Sequence, residues 1–138
     1  MVRVLCVDDD SDLIEVLQIL LPDFGLEATC TTSIEEALTL VETEDFDVVL
    51  LDEYMPPPEG ADPETLDFGR NTGIEVATRI HKIKPSLPIL GLTVVQDQHI
   101  QAAMRKAGII DILVKPAEPD LIVTTLRRYA TPRRVRAE

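Results

Sequence analysis

Short apolar runs alternate with amphipathic stretches along the whole chain. The apolar runs predict strands at residues 2–7, 26–31, 47–51, 88–92 and 109–114. Part of the third run, Val48-Val49-Leu50-Leu51, is wholly apolar, which is typical of a central parallel strand covered on both faces. An amphipathic stretch follows each run, so the pattern predicts five strands that alternate with five helices.

Capping and breaking residues mark the ends of the predicted helices. The first helix begins at about Asp12 and ends at Pro22 and Gly25, and the fourth runs from Asp97 to Gly108. Capping boxes open the second helix (Ser33 with Glu36) and the third (Thr72 with Glu75). The last helix is predicted at about residues 119–129. The apolar positions at helical spacing that should face the sheet are Leu13, Val16, Leu17, Leu20 and Leu21, then Ala37, Leu38 and Val41, then Ile74, Ala77 and Ile80, and last Leu121, Ile122, Leu126 and Tyr129.

Alternating strands and helices at this spacing imply parallel strand pairing through right-handed crossovers. We therefore predict an α/β fold, with a doubly wound five-stranded parallel sheet between two layers of helices. At 138 residues the chain has the size of one domain with a proper core.

One connection is much longer than the fold requires. Residues 56–72 are rich in proline and acidic side chains, whereas most strand-to-helix connections need about 2–6 residues. One hypothesis is a flap beside the strand ends, to which Glu59, Asp62, Glu64 and Asp67 would add negative potential. The alternative is an insertion that is tolerated because closing a longer loop costs little.

Charge is unevenly distributed along the chain. The formal net charge is −12, yet the last twelve residues carry five arginines against one glutamate. An acidic body argues against direct nucleic-acid binding, which needs a basic surface. We interpret residues 131–138 as a basic tail or a truncated linker. Its arginines either contact an acidic partner or only solvate the end of the last helix.

Cysteine content and hydropathy bear on the compartment. Cys6 and Cys30 lie in apolar runs and are interpreted as buried thiols in a reducing environment. No run approaches the roughly 18 apolar residues that a membrane span needs, and we see no signal peptide. We expect a cytoplasmic protein that does not contact the membrane.

Chemically reactive residues follow four of the predicted strands. Asp8-Asp9-Asp10 follow the first, Asp52 the third, Thr93 the fourth and Lys115-Pro116 the fifth. The carboxyl ends of parallel strands share one edge of a sheet, where ligands bind. Carboxylates gathered there need a counter-charge, for which Mg²⁺ is well suited. For Asp10 and Asp12 we favour a simpler role in capping the first helix.

Asp52 is either a plain metal ligand or a nucleophile. A carboxylate can attack a phosphoryl group and form an acyl phosphate. Lys115 would supply positive charge to the phosphoryl oxygens, and Thr93 a hydroxyl hydrogen bond. Taken singly, each of these two residues is more often structural than functional.

These motifs, in this order, resemble the receiver domain of two-component response regulators, over about residues 2–129. The matching segments are Val7-Asp8-Asp9-Asp10, Val48-Val49-Leu50-Leu51-Asp52-Glu53-Tyr54-Met55-Pro56, Pro88-Ile89-Leu90-Gly91-Leu92-Thr93 and Val114-Lys115-Pro116. The resemblance implies a flavodoxin-like (βα)5 three-layer sandwich and a receiver domain at residues 1–130.

The resemblance also implies roles for the site residues. Asp52 would accept a phosphoryl group from a histidine kinase or phosphotransfer protein. Asp9 and Asp52 would hold Mg²⁺ together with the backbone carbonyl of Tyr54, while Asp8 acts through water. Thr93 and Lys115 would bind the phosphoryl oxygens, and Lys115-Pro116 would be cis. The expected result is a switch that acts on a downstream output protein or domain, with a homodimer through the last helices as a further expectation.

Three features depart from the family pattern. Val94 replaces the usual small residue after the threonine and should narrow access to Asp52. Ile112 stands where receivers usually carry an aromatic residue, which changes the usual coupling to the surface. Gly73 is interpreted as the glycine that opens the third helix, so the preceding loop is an insertion.

Other functions remain open from the sequence. An aspartate-nucleophile phosphohydrolase would use the same groups, but it usually has a second aspartate where this chain has Tyr54. A degenerate receiver that only binds proteins is a second alternative. A flavin-binding protein of similar topology is disfavoured because no phosphate-binding loop follows the first strand.

Overall fold

Five parallel strands form a single sheet in the computed structural model, which describes residues 2–53, 55, 72–94 and 97–130. The strands are β1 (Val2–Val7), β2 (Leu26–Thr31), β3 (Val48–Asp52), β4 (Ile89–Thr93) and β5 (Ile109–Val114). Their order across the sheet is β2-β1-β3-β4-β5. The predicted strands are therefore confirmed, with β3 and β4 each shifted by one residue so that Asp52 and Thr93 are their last members.

Helices cover both faces of this sheet, as predicted. They are α1 (Ser11–Leu20), α2 (Ile34–Thr43), α3 (Thr72–Ile83), α4 (Gln98–Lys106) and α5 (Pro119–Tyr129), and a 3₁₀ turn at Leu21–Phe24 follows α1. One core lies between the sheet and α2, α3 and α4, and the second lies between the sheet and α1 and α5. Successive residues of β1 alternate between the two cores, as the pleat of a strand requires.

Side-chain caps fix where several helices begin. The Asp10 carboxylate accepts hydrogen bonds from the backbone N–H groups of Asp12 and Leu13, which confirms its predicted capping role. Ser33 caps α2 by accepting from Glu36 N–H, and Asp97 caps α4. These contacts satisfy N–H groups that have no partner inside the helix.

The predicted cap at Thr72 is wrong by one residue. Helix α3 begins at Thr72 itself, whose side chain is fully buried instead of facing the free N–H groups. Within the described residues the Thr72 hydroxyl has no hydrogen-bond partner. The approach of the helix to the end of β3 determines this start, through a hydrogen bond from Gly73 N–H to the Glu53 carbonyl at 2.9 Å.

The prediction that Val16 and Leu121 face the sheet is also wrong. Val16 is 49% exposed and Leu121 is 50% exposed. In α1 the buried positions are Ile14 and Leu17, and in α5 they include Ile122. Each residue turns a helix by about 100°, so a neighbour of a buried position can already face solvent. Cys30 departs from its prediction too: it is only partly buried, because β2 is an edge strand.

Among the described residues, no helix combines the length and the apolar character that crossing a membrane requires.

Candidate functional site

The register of the sheet brings the carboxyl ends of four strands to one edge. Asp52 is paired with Leu92 on the neighbouring strand, and Thr93 is paired with Val114. The backbone N–H of Lys115 donates to the Thr93 carbonyl at 2.7 Å. As a result β3, β4 and β5 deliver an acid, a hydroxyl and a lysine to the same edge, as the sequence predicts.

Three carboxylates meet beside this edge. Asp8, Asp9 and Asp52 each offer an oxygen, and these atoms lie within 4.8 Å of one another. Asp8 and Asp52 are both 4% exposed, whereas Asp9 is exposed. Carboxylate oxygens with access to water are the ligands that hard divalent cations prefer, so this donor set fits Mg²⁺.

Lys115 is the cation that faces these acids. Its Nζ lies 3.1 Å from Oδ2 of Asp8 and 3.4 Å from Oδ1 of Asp52. Partial burial disfavours the charged ammonium, but attraction to Asp52 and Asp8 outweighs burial and raises the pKa of Lys115. The lysine therefore keeps its charge where phosphoryl oxygens would need it.

The Asp52 carboxyl is strongly perturbed by its surroundings. Burial and the charge of Asp8 raise the pKa of Asp52 to about 8, although Lys115 acts in the opposite direction. A hydrogen bond with Asp9 acts in the same direction as burial and contributes to this raised pKa. An added positive charge would therefore stabilise the ionised form of Asp52 by offsetting the charge of its acidic neighbours.

The orientation of Asp8 depends on a local contact that the pattern of strand ends alone does not predict. Its Oδ1 accepts a hydrogen bond from Asp10 N–H at 2.8 Å, while its Oδ2 contacts Lys115. Asp10 thus caps α1 with its side chain and positions Asp8 with its backbone. The contact joins residues two apart, and an aspartate that accepts from the N–H two residues on is a common local motif.

A cleft of about 360 Å³ opens beside Lys115. Thr93 is fully buried at the end of β4, and the next residue, Val94, is 64% exposed and lines the cleft. The other lining residues include Asp10, Leu13, Lys115, Pro116, Ala117 and Ile122. Val94 therefore lines the same cleft as Lys115.

The helix that follows the long connection is docked against the backbone of the site. A Cβ at Gly73 would lie 2.5 Å from the Asp52 carbonyl oxygen and 2.5 Å from Glu53 Cα. Only glycine permits this approach. Gly73 is the second residue of α3, so the helix begins one position before the glycine that the sequence assigns as its first residue.

The remaining predicted positions fall into two groups. Lys115-Pro116 is cis, as the resemblance implies, and Ile112 is partly buried against the core beneath α2, α3 and α4. Tyr54, whose carbonyl is expected to bind the metal, lies outside the described residues, as do residues 56–71 of the long connection.

Comparison with known proteins identifies the family. The model of the response regulator receiver domain matches residues 4–127. The chain is 30% identical over 127 residues to the transcriptional regulatory protein ZraR of Salmonella typhimurium, covering 92% of this chain and 26% of that protein. It is 32% identical over 114 residues to the sensor protein GacS of Pseudomonas syringae pv. syringae, covering 83% of this chain and 12% of that protein.

Solved structures agree with this match. Chemotaxis protein CheY4 of Vibrio cholerae superposes with a TM-score of 0.78 at 27% identity, covering 94% of this chain and 98% of that one. The chain spans only 26% and 12% of the two curated relatives, so it corresponds to one module of each. Mg²⁺ and an aspartyl phosphate are general features of this family, whose members are signalling domains and not turnover enzymes. The chain belongs to the response regulator receiver domain family.

Proposed function

We propose that Asp52 accepts a phosphoryl group with the help of Mg²⁺ and that the modification switches the partner-binding surface of this domain. One observation carries the proposal: Lys115 Nζ contacts both Asp8 and Asp52 while Asp9 completes the carboxylate cluster. A buried carboxylate flanked by one cation and two further acids suits a nucleophile and a metal site at once.

Asp9 and Asp52 are the proposed ligands of Mg²⁺, together with the Tyr54 carbonyl, while Asp8 acts through a bound water. The exposed position of Asp9 supports direct contact with an incoming hydrated ion. When bound, the ion would neutralise charge on the phosphoryl oxygens. It would also oppose the burial and the repulsion that raise the pKa of Asp52.

The transfer itself requires Asp52 in its ionised form. A carboxylate oxygen attacks phosphorus, the bond from phosphorus to the donor nitrogen of a phosphohistidine breaks, and the histidine side chain leaves. The Lys115 ammonium and the Thr93 hydroxyl then hold the oxygens of the new acyl phosphate. Their movement toward these oxygens would shift an equilibrium between two surface states.

The phosphoryl donor is proposed to be a histidine kinase or a phosphotransfer protein. The phosphorylated domain is proposed to act on a downstream output protein or domain. A transcriptional regulator and a sensor protein among the relatives support both expectations. The exposed side chain of Leu121 on α5 supports a homodimer through the last helices. The acidic body supports a domain that does not itself bind nucleic acid.

The proposed domain covers residues 1–130, with an insertion at about 56–72 and a basic tail or linker at 131–138. Two hypotheses for this insertion stay open: a flap beside Asp52, or a segment that the fold tolerates without a role. Hydrogen exchange measured with and without a phosphate mimic tests the flap, and rapid exchange of the insertion in both states would contradict it.

The switch is tested by adding Mg²⁺ and beryllofluoride to ¹⁵N-labelled protein. We expect chemical-shift changes at Thr93 and Lys115 that extend to α4 and α5, and no such changes in Asp52→Asn. Asp12→Asn serves as the control, because it removes an exposed acid of the first turn of α1 outside the cluster. If the wild type does not respond, the domain acts as a phosphorylation-independent binding module instead.

A further inference from the structure

Cys6 and Cys30 are directly paired across two neighbouring strands. The parallel register of β1 and β2 places Cys6 opposite Cys30. Both side chains lie on the same face of the sheet, because Cys6 belongs to the core under α1 and α5 and Cys30 packs against that core. Both are free thiols. The two side chains therefore lie next to each other on the same face of the sheet.

The spacing of two paired strands is compatible with a covalent bridge between them. Neighbouring strands lie about 4.8 Å apart, and Cα atoms joined by a disulfide are usually about 4.4–6.8 Å apart. No shift of register is required to bring the two side chains together. We propose that Cys6 and Cys30 form a reversible, redox-sensitive disulfide that ties the edge strand β2 to β1.

The two thiols differ in access, which sets the order of the reaction. Cys6 is 1% exposed, whereas Cys30 is partly exposed on the edge strand. A peroxide would meet Cys30 first: its sulfur attacks one peroxide oxygen, the O–O bond breaks and water leaves, giving a sulfenic acid. The Cys6 sulfur then displaces the hydroxyl, which leaves as water with the Cys6 proton. Overall, two thiols are oxidised to a disulfide and one peroxide is reduced to two waters.

The electrostatics at Cys30 agree with this order. A hydrogen bond from the neighbouring Cys6 thiol lowers the pKa of Cys30, although partial burial acts the other way. The thiolate is the form that reacts with oxidants, so the more accessible sulfur is also the more reactive one. The register of the strands, and not this shift, carries the proposal.

The bridge would act on the edge of the sheet next to the carboxylate cluster. Among the strands of the described residues, β2 pairs with β1 alone, and just beyond the cysteines Asp8 N–H donates to the Thr31 carbonyl at 3.3 Å. A covalent link constrains the unfolded chain between the cysteines and holds β2 against fraying. We expect the oxidised protein to melt at a higher temperature and to exchange its β2 amide protons more slowly.

The test treats the full chain with hydrogen peroxide or diamide, alkylates the remaining thiols after unfolding and maps the peptides by mass spectrometry. We expect a Cys6–Cys30 linked peptide, the loss of both free thiols, reversal by dithiothreitol and a raised melting temperature. Cys30→Ser should form no link and show no oxidation-dependent rise. This partly exposed position leaves the core intact, and Cys6→Ala is the second variant.

Three results would overturn the proposal. The first is oxidation of Cys30 alone while Cys6 remains available for alkylation after unfolding. The second is a link that forms only between two molecules. The third is the absence of any reaction at either thiol under conditions that oxidise an unfolded control of the same chain.

Discussion

Lys115 Nζ lies 3.4 Å from Oδ1 of Asp52, the side chain at the centre of the site. The same ammonium lies 3.1 Å from Asp8, so one cation faces two buried carboxylates. With Asp9 completing the cluster, these four groups carry a net negative charge when all are ionised. The site can therefore accept a divalent cation, and its response to pH, metal and substitution follows from this charge excess.

The contribution of Asp52 to the stability of the metal-free protein should fall as pH rises from about 4 to about 8. Unfolded Asp52 ionises near its ordinary value of 3.8, while burial and Asp8 raise the pKa of the folded residue to about 8. Within this window the folded state binds more protons than the unfolded one at this residue, so raising the pH favours unfolding. Above the window the loss is complete.

Asp52→Asn isolates this effect. We expect the variant to unfold with a free energy higher than wild type by about 1–3 kcal/mol at pH 8, and by much less at pH 4. Urea denaturation across this range without divalent metal measures the difference. Asp12→Asn is the control and should show no such pH-dependent gain. A difference between Asp52→Asn and wild type that does not change with pH would contradict the raised pKa.

Mg²⁺ should stabilise the folded protein through the carboxylate cluster. We expect Asp9→Asn to weaken Mg²⁺ binding by about tenfold or more, since one ligand interaction of about 1.4 kcal/mol changes affinity tenfold. Removal of Mg²⁺ by EDTA should lower the melting temperature of wild type more than that of the variant. Calorimetric titration checks the affinity, and equal Mg²⁺ binding by Asp9→Asn and Asp12→Asn would rule out this site.

Val94 should slow phosphorylation by small donors and prolong the life of the acyl phosphate. Its exposed, β-branched side chain lines the cleft beside Lys115 and follows the buried Thr93. Val94→Ala should accelerate both phosphorylation by acetyl phosphate and dephosphorylation, by about threefold to tenfold, which corresponds to about 1 kcal/mol in each barrier.

Val16→Ala is the matched control for this comparison, because it removes the same atoms from an exposed valine of α1. Its rates should equal those of wild type. If Val94→Ala also keeps wild-type rates, the side chain does not restrict access to Asp52.

Gly73→Ala should destabilise the domain by about 1–3 kcal/mol, the usual cost of forcing extra atoms into a packed region. The added Cβ would meet backbone atoms of Asp52 and Glu53 at 2.5 Å. Unlike the end of a flexible side chain, these backbone atoms cannot rotate away from the contact. Gly91→Ala is a useful comparison, since its Cβ would meet the flexible end of Met104 at 2.5 Å. Thermal denaturation of both variants checks the difference, and a larger loss for Gly91→Ala would refute the assignment.

The sequence predicted the sheet and the cluster because both depend on strong local signals. Apolar runs fix the strands, and parallel strands deliver the residues that follow them to one edge. That rule alone predicts that Asp8, Asp52 and Lys115 lie together. Capping side chains at Asp10 and Ser33 were predictable for the same reason, since their contacts lie within three residues.

Other features depend on how elements pack, which the pattern does not specify. Val16 and Leu121 are apolar and suitably spaced, yet a small rotation of each helix leaves them exposed. The start of α3 at Thr72 is set by contact with the end of β3. The pairing of Cys6 with Cys30 needs the register of two strands that are separated by a helix in the sequence.

Intact-mass spectrometry after incubation with Mg²⁺ and acetyl phosphate tests the role of Asp52 most directly. The proposal predicts one added phosphoryl group on wild type, dependent on Mg²⁺ and labile to hydroxylamine as an acyl phosphate is. It predicts the same addition on Asp12→Asn and none on Asp52→Asn. Phosphorylation of Asp52→Asn to the wild-type extent, or no addition to any of the three proteins, would contradict it.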